Sequence, residues 1–180
     1  MERYGEAEYR IVTSDLSGSL GSAIRTKGCL LLFCLQGKAI VSANLERRVF
    51  CSGSIAVVFP DTLFVVHGTC GDFRVRMIEM SSALTDEVIL PLSSAFFERI
   101  CNEPILPTTG EMRVLAETWN AHIDYYSQCS VAKSARMMMK NQLQNLFLAM
   151  EVKLVFDAPP ENVKSISHSR AAFSTASANW

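Results

Sequence analysis

The chain has 180 residues, of which 49% are apolar, and a formal net charge of −1. That apolar fraction excludes the low-hydrophobicity composition of a disordered chain and permits a buried core. The near-zero charge excludes the strong basic excess with which a free-standing nucleic-acid binder attracts phosphate backbones.

Met1 to Arg10 is charged and polar and lacks the apolar stretch of a secretory signal. The longest apolar run, Cys29 to Leu35, is far too short to span a bilayer. A soluble, cytoplasmic protein without membrane contact is expected. The six cysteines, at positions 29, 34, 51, 70, 101 and 129, form no CxxC pair and have no histidine at zinc-finger spacing. Several lie inside apolar runs and read as reduced core thiols.

In chain order, Tyr9 to Thr13 alternates weakly and reads as a first strand, and Ser14 to Gly21 as a loop. Gly28 to Leu35 is a continuous apolar run bounded by turn residues, which predicts a buried strand. Gln36-Gly37 supplies a tight turn, and Lys38 to Asn44 runs back. Leu45-Glu46 turns again into Arg47 to Cys51, and Ser52-Gly53 into the β-branched stretch Ser54 to Phe59. Pro60-Asp61 breaks that stretch, because proline cannot donate to a ladder. Thr62 to His67 and Phe73 to Met80 are the last strands, joined by a loop from Gly68 to Asp72. Short strands at regular spacing argue an antiparallel sandwich or barrel, since parallel pairing would need helices for which there is no room.

Helical periodicity then takes over. Phe96 to Cys101 reads as a short helix, ended by Asn102 and Pro104, and Ile105 to Pro107 as a short edge strand. Thr109 and Gly110 begin a long helix, with Glu111 in its first turn and an apolar stripe of Met112, Leu115, Trp119, Ile123 and Tyr126. Ser130 is placed to cap a second, whose stripe holds Ala135, Met138, Leu143, Phe147, Met150 and Leu154. Met139, Leu146 and Leu148 widen that stripe beyond what a helix lying on one surface needs. The excess points to a second copy of the chain. Trp119, Leu143, Leu146, Phe147 and Met150 are the expected dimer interface. Pro159-Pro160 ends the helix, and Ala171 to Trp180 reads as a loose tail.

The stretch Gly53-Ser-Ile-Ala-Val-Val-Phe-Pro60 resembles a segment of cupin barrels, a glycine followed by a hydrophobic run and a proline. Preceded by Leu35-Gln-Gly37 and Lys38 to Cys51, and followed by two helices, it is similar to the N-terminal regulatory domain of AraC-type transcription regulators. The order of elements from Gly28 to Asp157 carries the match, and Ser167-His-Ser-Arg170 resembles the stretch just before the DNA-binding region in some of these regulators. The resemblance implies an α+β fold: an antiparallel cupin-like (jelly-roll) β-barrel over residues 1–105, a two-helix dimerisation hairpin over 106–158 and a polar, disordered tail over 159–180. It implies an unidentified small-molecule effector, a homodimer through the C-terminal helices, no cofactor and no catalysis. Nothing after Pro160 has a recognition-helix pattern or a basic cluster, so direct nucleic-acid binding is not carried over.

The alternative is a stand-alone cupin-fold enzyme, a metal-dependent isomerase or dioxygenase. Such a site needs three or four converging ligands. The chain has only His67, His122 and His168, none in His-x-His spacing, so no metal site is expected. No nucleophile motif and no glycine-rich phosphate loop is present. A third reading is an interaction module with no small ligand, which a barrel packed solid with apolar side chains would favour. Three residues are candidates for ligand contact. His67 ends a strand and is either a satisfied structural histidine or a polar group at a pocket. Arg74 and Arg76 alternate with Phe73, Val75 and Met77 and so face one way. They line either a solvated outer face or the barrel, where a guanidinium forks well onto an anion. Arg47 and Arg48 flank a turn and read as surface residues. Lys133, Arg136 and Lys140 form one basic helix side.

Overall fold

A computed structural model describes residues 8–106, 108–127 and 132–156. The expectations for Cys129, Ser130, Pro159-Pro160, His168 and the tail lie outside those residues, as does the side chain of Lys133. Among the described residues, eight strands form two antiparallel sheets. They are β1 (Tyr9–Ser14), β2 (Ala23–Ile24), β3 (Leu30–Gln36), β4 (Lys38–Ala43), β5 (Glu46–Cys51), β6 (Ile55–Val58), β7 (Phe64–Thr69) and β8 (Arg74–Met80). The sheet orders are β1-β8-β3-β6 and β2-β7-β4-β5. Four helices follow: α1 (Ser82–Ile89), α2 (Ser94–Asn102), α3 (Gly110–Ser127) and α4 (Ala132–Glu151), the last continuing as a π-helical segment, Val152–Phe156.

The molecule has three layers, and β3 shows why. Its residues are apolar on both faces because both faces are covered. Leu30, Leu32 and Cys34 meet Val41, Phe50, Phe64 and Val66 of the second sheet. Leu31 and Phe33 meet the helices, in one cluster with Trp119, Leu143 and Phe147. The same parity runs along Phe73 and the β8 that follows it: Phe73 and Val75 face the second sheet, Ile78 and Met80 the helices. The space between the sheets is filled by Phe50, Phe64 and Phe73, each fully buried.

Gly37 is the crossing point between the sheets. The turn expected at Gln36-Gly37 is present, but it does not make a hairpin: β3 pairs with β6 and β8, and β4 with β5 and β7. Gly37 has φ +71°, and a Cβ there would stand 2.8 Å from both the Cys70 Sγ and an Asp72 carboxylate oxygen. Only glycine combines that conformation with that approach. The β4–β5 turn falls one residue earlier than expected, on Asn44 (φ 49°) and Leu45 (φ 73°), the two positive-φ centres that match a twisted two-residue hairpin.

Capping explains the helix starts. The Ser81 hydroxyl accepts from the Leu84 amide (3.2 Å) and starts α1. Ser93 accepts from Phe96 (3.3 Å) and starts α2, and the Thr109 Oγ1 accepts from Met112 (3.2 Å) at α3. The edge strand expected at Ile105 is a single bridge to Ala56, flanked by the Val57 amide donating to the Pro104 carbonyl and that of Leu106 to Ile55.

Candidate functional site

The β4–β5 hairpin ends against the C-terminus of α2, and Asn44 fastens them together. Its amide nitrogen Nδ2 donates to the Cys101 carbonyl (2.7 Å), while its Oδ1 accepts from the Leu63 amide (3.2 Å). Beside this joint lies an open cleft of about 230 Å³. Ala43, Pro104 and Ile105 give it apolar surface. Glu46 and Arg48 come from β5, and Arg99, Asn102 and Glu103 from α2 and the residue after it. Residues two apart on a strand share a face, and residues four apart on a helix do too. Accordingly, Arg48 Nη2 pairs with Glu46 (2.7 Å) and Arg99 Nη2 with Glu103 (2.8 Å). All four side chains are substantially exposed, so these pairs contribute little to stability. As chemistry, the cleft offers two planar cations and two carboxylates beside an apolar surface.

The residues expected to contact a ligand are elsewhere. His67 is exposed on β7, its Nε2 2.9 Å from the hydroxyl of Ser42, and it does not enter the space between the sheets. Arg74 is exposed, with Nη1 donating to the Phe73 carbonyl (2.7 Å). Arg76 lies under α3, where Nη1 donates to the backbone and side-chain oxygens of Asn120 (3.1 Å each) and Nη2 pairs with Asp124 (2.7 Å). The two arginines do share a face, but it is the one turned away from the second sheet. Arg76 therefore fastens a helix to a sheet. The structure does not bring His67, Arg74 and Arg76 together.

The five expected interface residues need a correction. Trp119, Leu143, Leu146, Phe147 and Met150 are 3%, 0%, 1%, 0% and 0% exposed within a single chain. The α4 stripe is wide because α4 is packed by α1 and α3 of the same chain and shares one apolar cluster with the sheet. The outward side of α4 is a different row: Met137, Asn141, Asn145, Leu148, Val152 and Phe156 are all exposed, spaced by three or four, and none is charged. On α3, Val114, Thr118, Ala121 and Tyr125 form a similar uncharged row. Contacts of Glu111 with Lys153 and of Trp119 with Gln142 run the helices antiparallel, setting Val114 near the level of Leu148 and Tyr125 near Met137.

Among the described residues, no three histidines, cysteines, aspartates or glutamates stand together as a metal site. The cysteines at 29, 34, 51, 70 and 101 are free thiols. Burial pushes the Cys34 thiol up to about 12 and that of Cys29 higher still, so neither supplies a thiolate at neutral pH. The cleft escaped sequence reading because its charges come from separate elements. The local signals were Glu46-x-Arg48 on one strand face and Arg99 four residues before Glu103 on one helix face.

No family model matches the sequence, and no curated protein does. Solved structures do. An apo point variant of ToxT from Vibrio cholerae strain SCE256 superposes with a TM-score of 0.54 at 10% identity, over 84% of this chain and 59% of that one. The fold is similar to that of the matched part of ToxT. Wild-type ToxT from the same strain, bound to an unsaturated fatty acid, gives 0.52 at 10% identity over 85% of this chain and 58% of that one. The AraC-like transcriptional activator CuxR superposes more loosely, at 0.46 and 10% identity over 78% of this chain and 47% of its own. The chain thus spans about three fifths of the ToxT chains it matches. No helix of the described residues is long and apolar enough to cross a membrane.

Proposed function

We propose that the chain is the small-molecule-sensing and dimerisation domain of an AraC-type transcription regulator. The observation that carries the reading is the fold shared with ToxT at 10% identity, where common ancestry of sequence is no longer legible but the order of sheets and helices is. The neighbours are transcription regulators, which favours a binding protein over the isomerase or dioxygenase alternative. On this reading residues 1–105 form a cupin-like barrel and 106–158 a helical hairpin, the two sharing one apolar core. A cytoplasmic setting suits the free thiols.

The effector would bind in the cleft between β5 and α2, where polar groups and apolar surface meet in a concavity. A ToxT structure holding a fatty acid supports an effector of small-molecule size. Two copies would pair through the uncharged rows of α3 and α4, in place of the buried stripe. Six of those side chains, Val114, Tyr125, Met137, Leu148, Val152 and Phe156, expose between 39% and 67% of their surface. A standard interface buries about 800 Å² per partner, so such a pair would draw on neighbouring residues of both helices as well. Two asparagines in the row suit a helix pair that must choose one register. The described residues are assigned no contact with nucleic acid.

The test is a melting-temperature screen of the purified chain against small metabolites, with sedimentation velocity at micromolar concentration. A ligand that raises the melting temperature and a dimer in solution support the reading. A monomer that no metabolite stabilises overturns it. The filled space between the sheets favours one other reading, an interaction module with no small ligand, which predicts the dimer without any ligand-dependent shift in melting.

A further inference from the structure

We propose that the free edge of β5 takes an extended acidic segment of a partner protein, which adds one more strand to the second sheet. The inference goes beyond the sensor reading and stands whether or not the cleft binds an effector.

The backbone of the edge carries the argument. β5 closes the second sheet, and among the described residues no strand pairs with its outer side. Cys51 fixes which groups point outward. Its amide donates to the Ser54 hydroxyl (3.3 Å) and its carbonyl accepts from the Ser54 amide (2.8 Å), both away from β4. Bonding direction alternates along an antiparallel strand, so Arg47 and Val49 also turn their amides and carbonyls away from β4. An added strand bonds at this two-residue repeat. Strands recruited in this way gain affinity from main-chain bonds and specificity from alternate side chains.

The side chains choose the occupant. Arg47 and Val49 are exposed and point to the outer face of the sheet, opposite to buried Phe50. Arg48 is held by Glu46 (2.7 Å), whereas Arg47 meets no carboxylate among the described residues. The register sets Lys38 on that same outer face and puts no carboxylate at any outward position of the four strands. A second copy of β5 is the wrong occupant, because the two-fold registers centred on Arg47 and on Arg48 each set an arginine against itself. A strand with an acidic residue opposite Arg47 and an apolar one opposite Val49 satisfies both positions.

Fluorescence anisotropy of the purified chain with a labelled peptide, Thr-Val-Thr-Glu-Thr-Val-Thr, tests this. The peptide should bind about tenfold tighter than its lysine-for-glutamate counterpart. It should also outbind a version N-methylated at its valine and glutamate amides, which cannot complete the ladder. Arg47→Glu should weaken the glutamate peptide by about tenfold and strengthen the lysine one. Val49→Pro removes an amide that only the added strand would use, a change that edge strands tolerate. It should abolish binding while circular dichroism stays unchanged. The proposal is overturned if the N-methylated or the lysine peptide binds as tightly as the parent, or if Arg47→Glu leaves binding unaltered. An absence of binding at millimolar peptide also overturns it. Dimers that become monomers on Arg47→Glu in sedimentation would assign the edge to a second copy instead.

Discussion

Phe33 and Trp119 stack with ring centroids 5.2 Å apart and planes 15° from parallel. The contact joins the middle of β3 to the middle of α3, and Trp119 Nε1 adds a 2.9 Å hydrogen bond to the Gln142 carbonyl on α4. One side chain thus ties three elements together. Trp119→Ala is expected to destabilise the chain by about 3–5 kcal/mol, the usual range for emptying a buried aromatic site. Urea denaturation measures it. A variant that keeps its stability but loses dimers would show that Trp119 belongs to an interface after all.

The exposed row of α4 should behave in the opposite way. Met137→Asp and Leu148→Asp replace side chains that are 58% and 39% exposed. Surface changes of this kind usually alter stability by about 0.5 kcal/mol or less, but a charge buried without a partner disrupts a helix pair. Sedimentation should show dimers becoming monomers while the melting temperature holds. Unaltered dimers in both variants would move the interface elsewhere.

Arg76 and His67 separate a structural role from a surface one. The Arg76 side chain is 13% exposed and meets Asn120 and Asp124. Arg76→Ala leaves the half-buried oxygens of Asn120 without that donor and should cost about 1–3 kcal/mol. His67→Ala, on an exposed histidine whose partner is Ser42, should stay within about 0.5 kcal/mol. Equal losses in chemical denaturation would contradict these placements.

How legible was this architecture in the residues themselves? Turn residues and strand periodicity together located seven of the strands, most clearly β3 and β6, whose apolar residues are buried on both faces. The two-residue β2 carries no such pattern. Nor does α1, only eight residues long, where Thr85 and Val88 weaken helical propensity and the cap at Ser81 was the one local sign. The wide stripe on α4 is covered within the single chain by α1, α3 and the sheet. Periodicity says how much of a helix is covered, not by which chain. The cleft depended on where a hairpin meets a helix end fifty residues later, and no local pattern holds that information.

Acid should expose a separate weakness. The Glu87 carboxylate accepts from the Lys140 ammonium, with the Arg136 guanidinium near its other oxygen. The Lys140 hydrogen bond first, and then these charges, hold Glu87 below its ordinary value of 4.5. A carboxyl whose folded-state value is depressed contributes stability above its unfolded value and loses it as pH falls through the folded one. The tie between α1 and α4 should therefore weaken as pH drops below 4.5. Glu87→Gln should lower the melting temperature at neutral pH and flatten its fall in acid. A parallel fall in both proteins would remove Glu87 from the account.

Leu45 offers a gain. It is 81% exposed and sits at φ 73°, a left-handed conformation that costs a non-glycine residue roughly 1 kcal/mol. Leu45→Gly creates the asparagine–glycine pair favoured by such hairpins and should raise stability by up to about 1 kcal/mol, read as a higher urea midpoint. A lower midpoint would mean that Leu45 makes contacts worth more than its strain.

The two ends of α2 have different neighbours. At its C-terminus stand Arg99 and Asn102, with Glu103 just beyond, on the wall of the cleft. At its N-terminus the Ser93 amide donates to a carboxylate oxygen of buried Glu151 (2.7 Å), one residue before exposed Val152 opens the π-helical segment. A nine-residue helix is about 13 Å long and does not compress, because every turn is closed by its own hydrogen bonds. One rigid element therefore joins the cleft wall to the point where α4 passes into its π-helical segment.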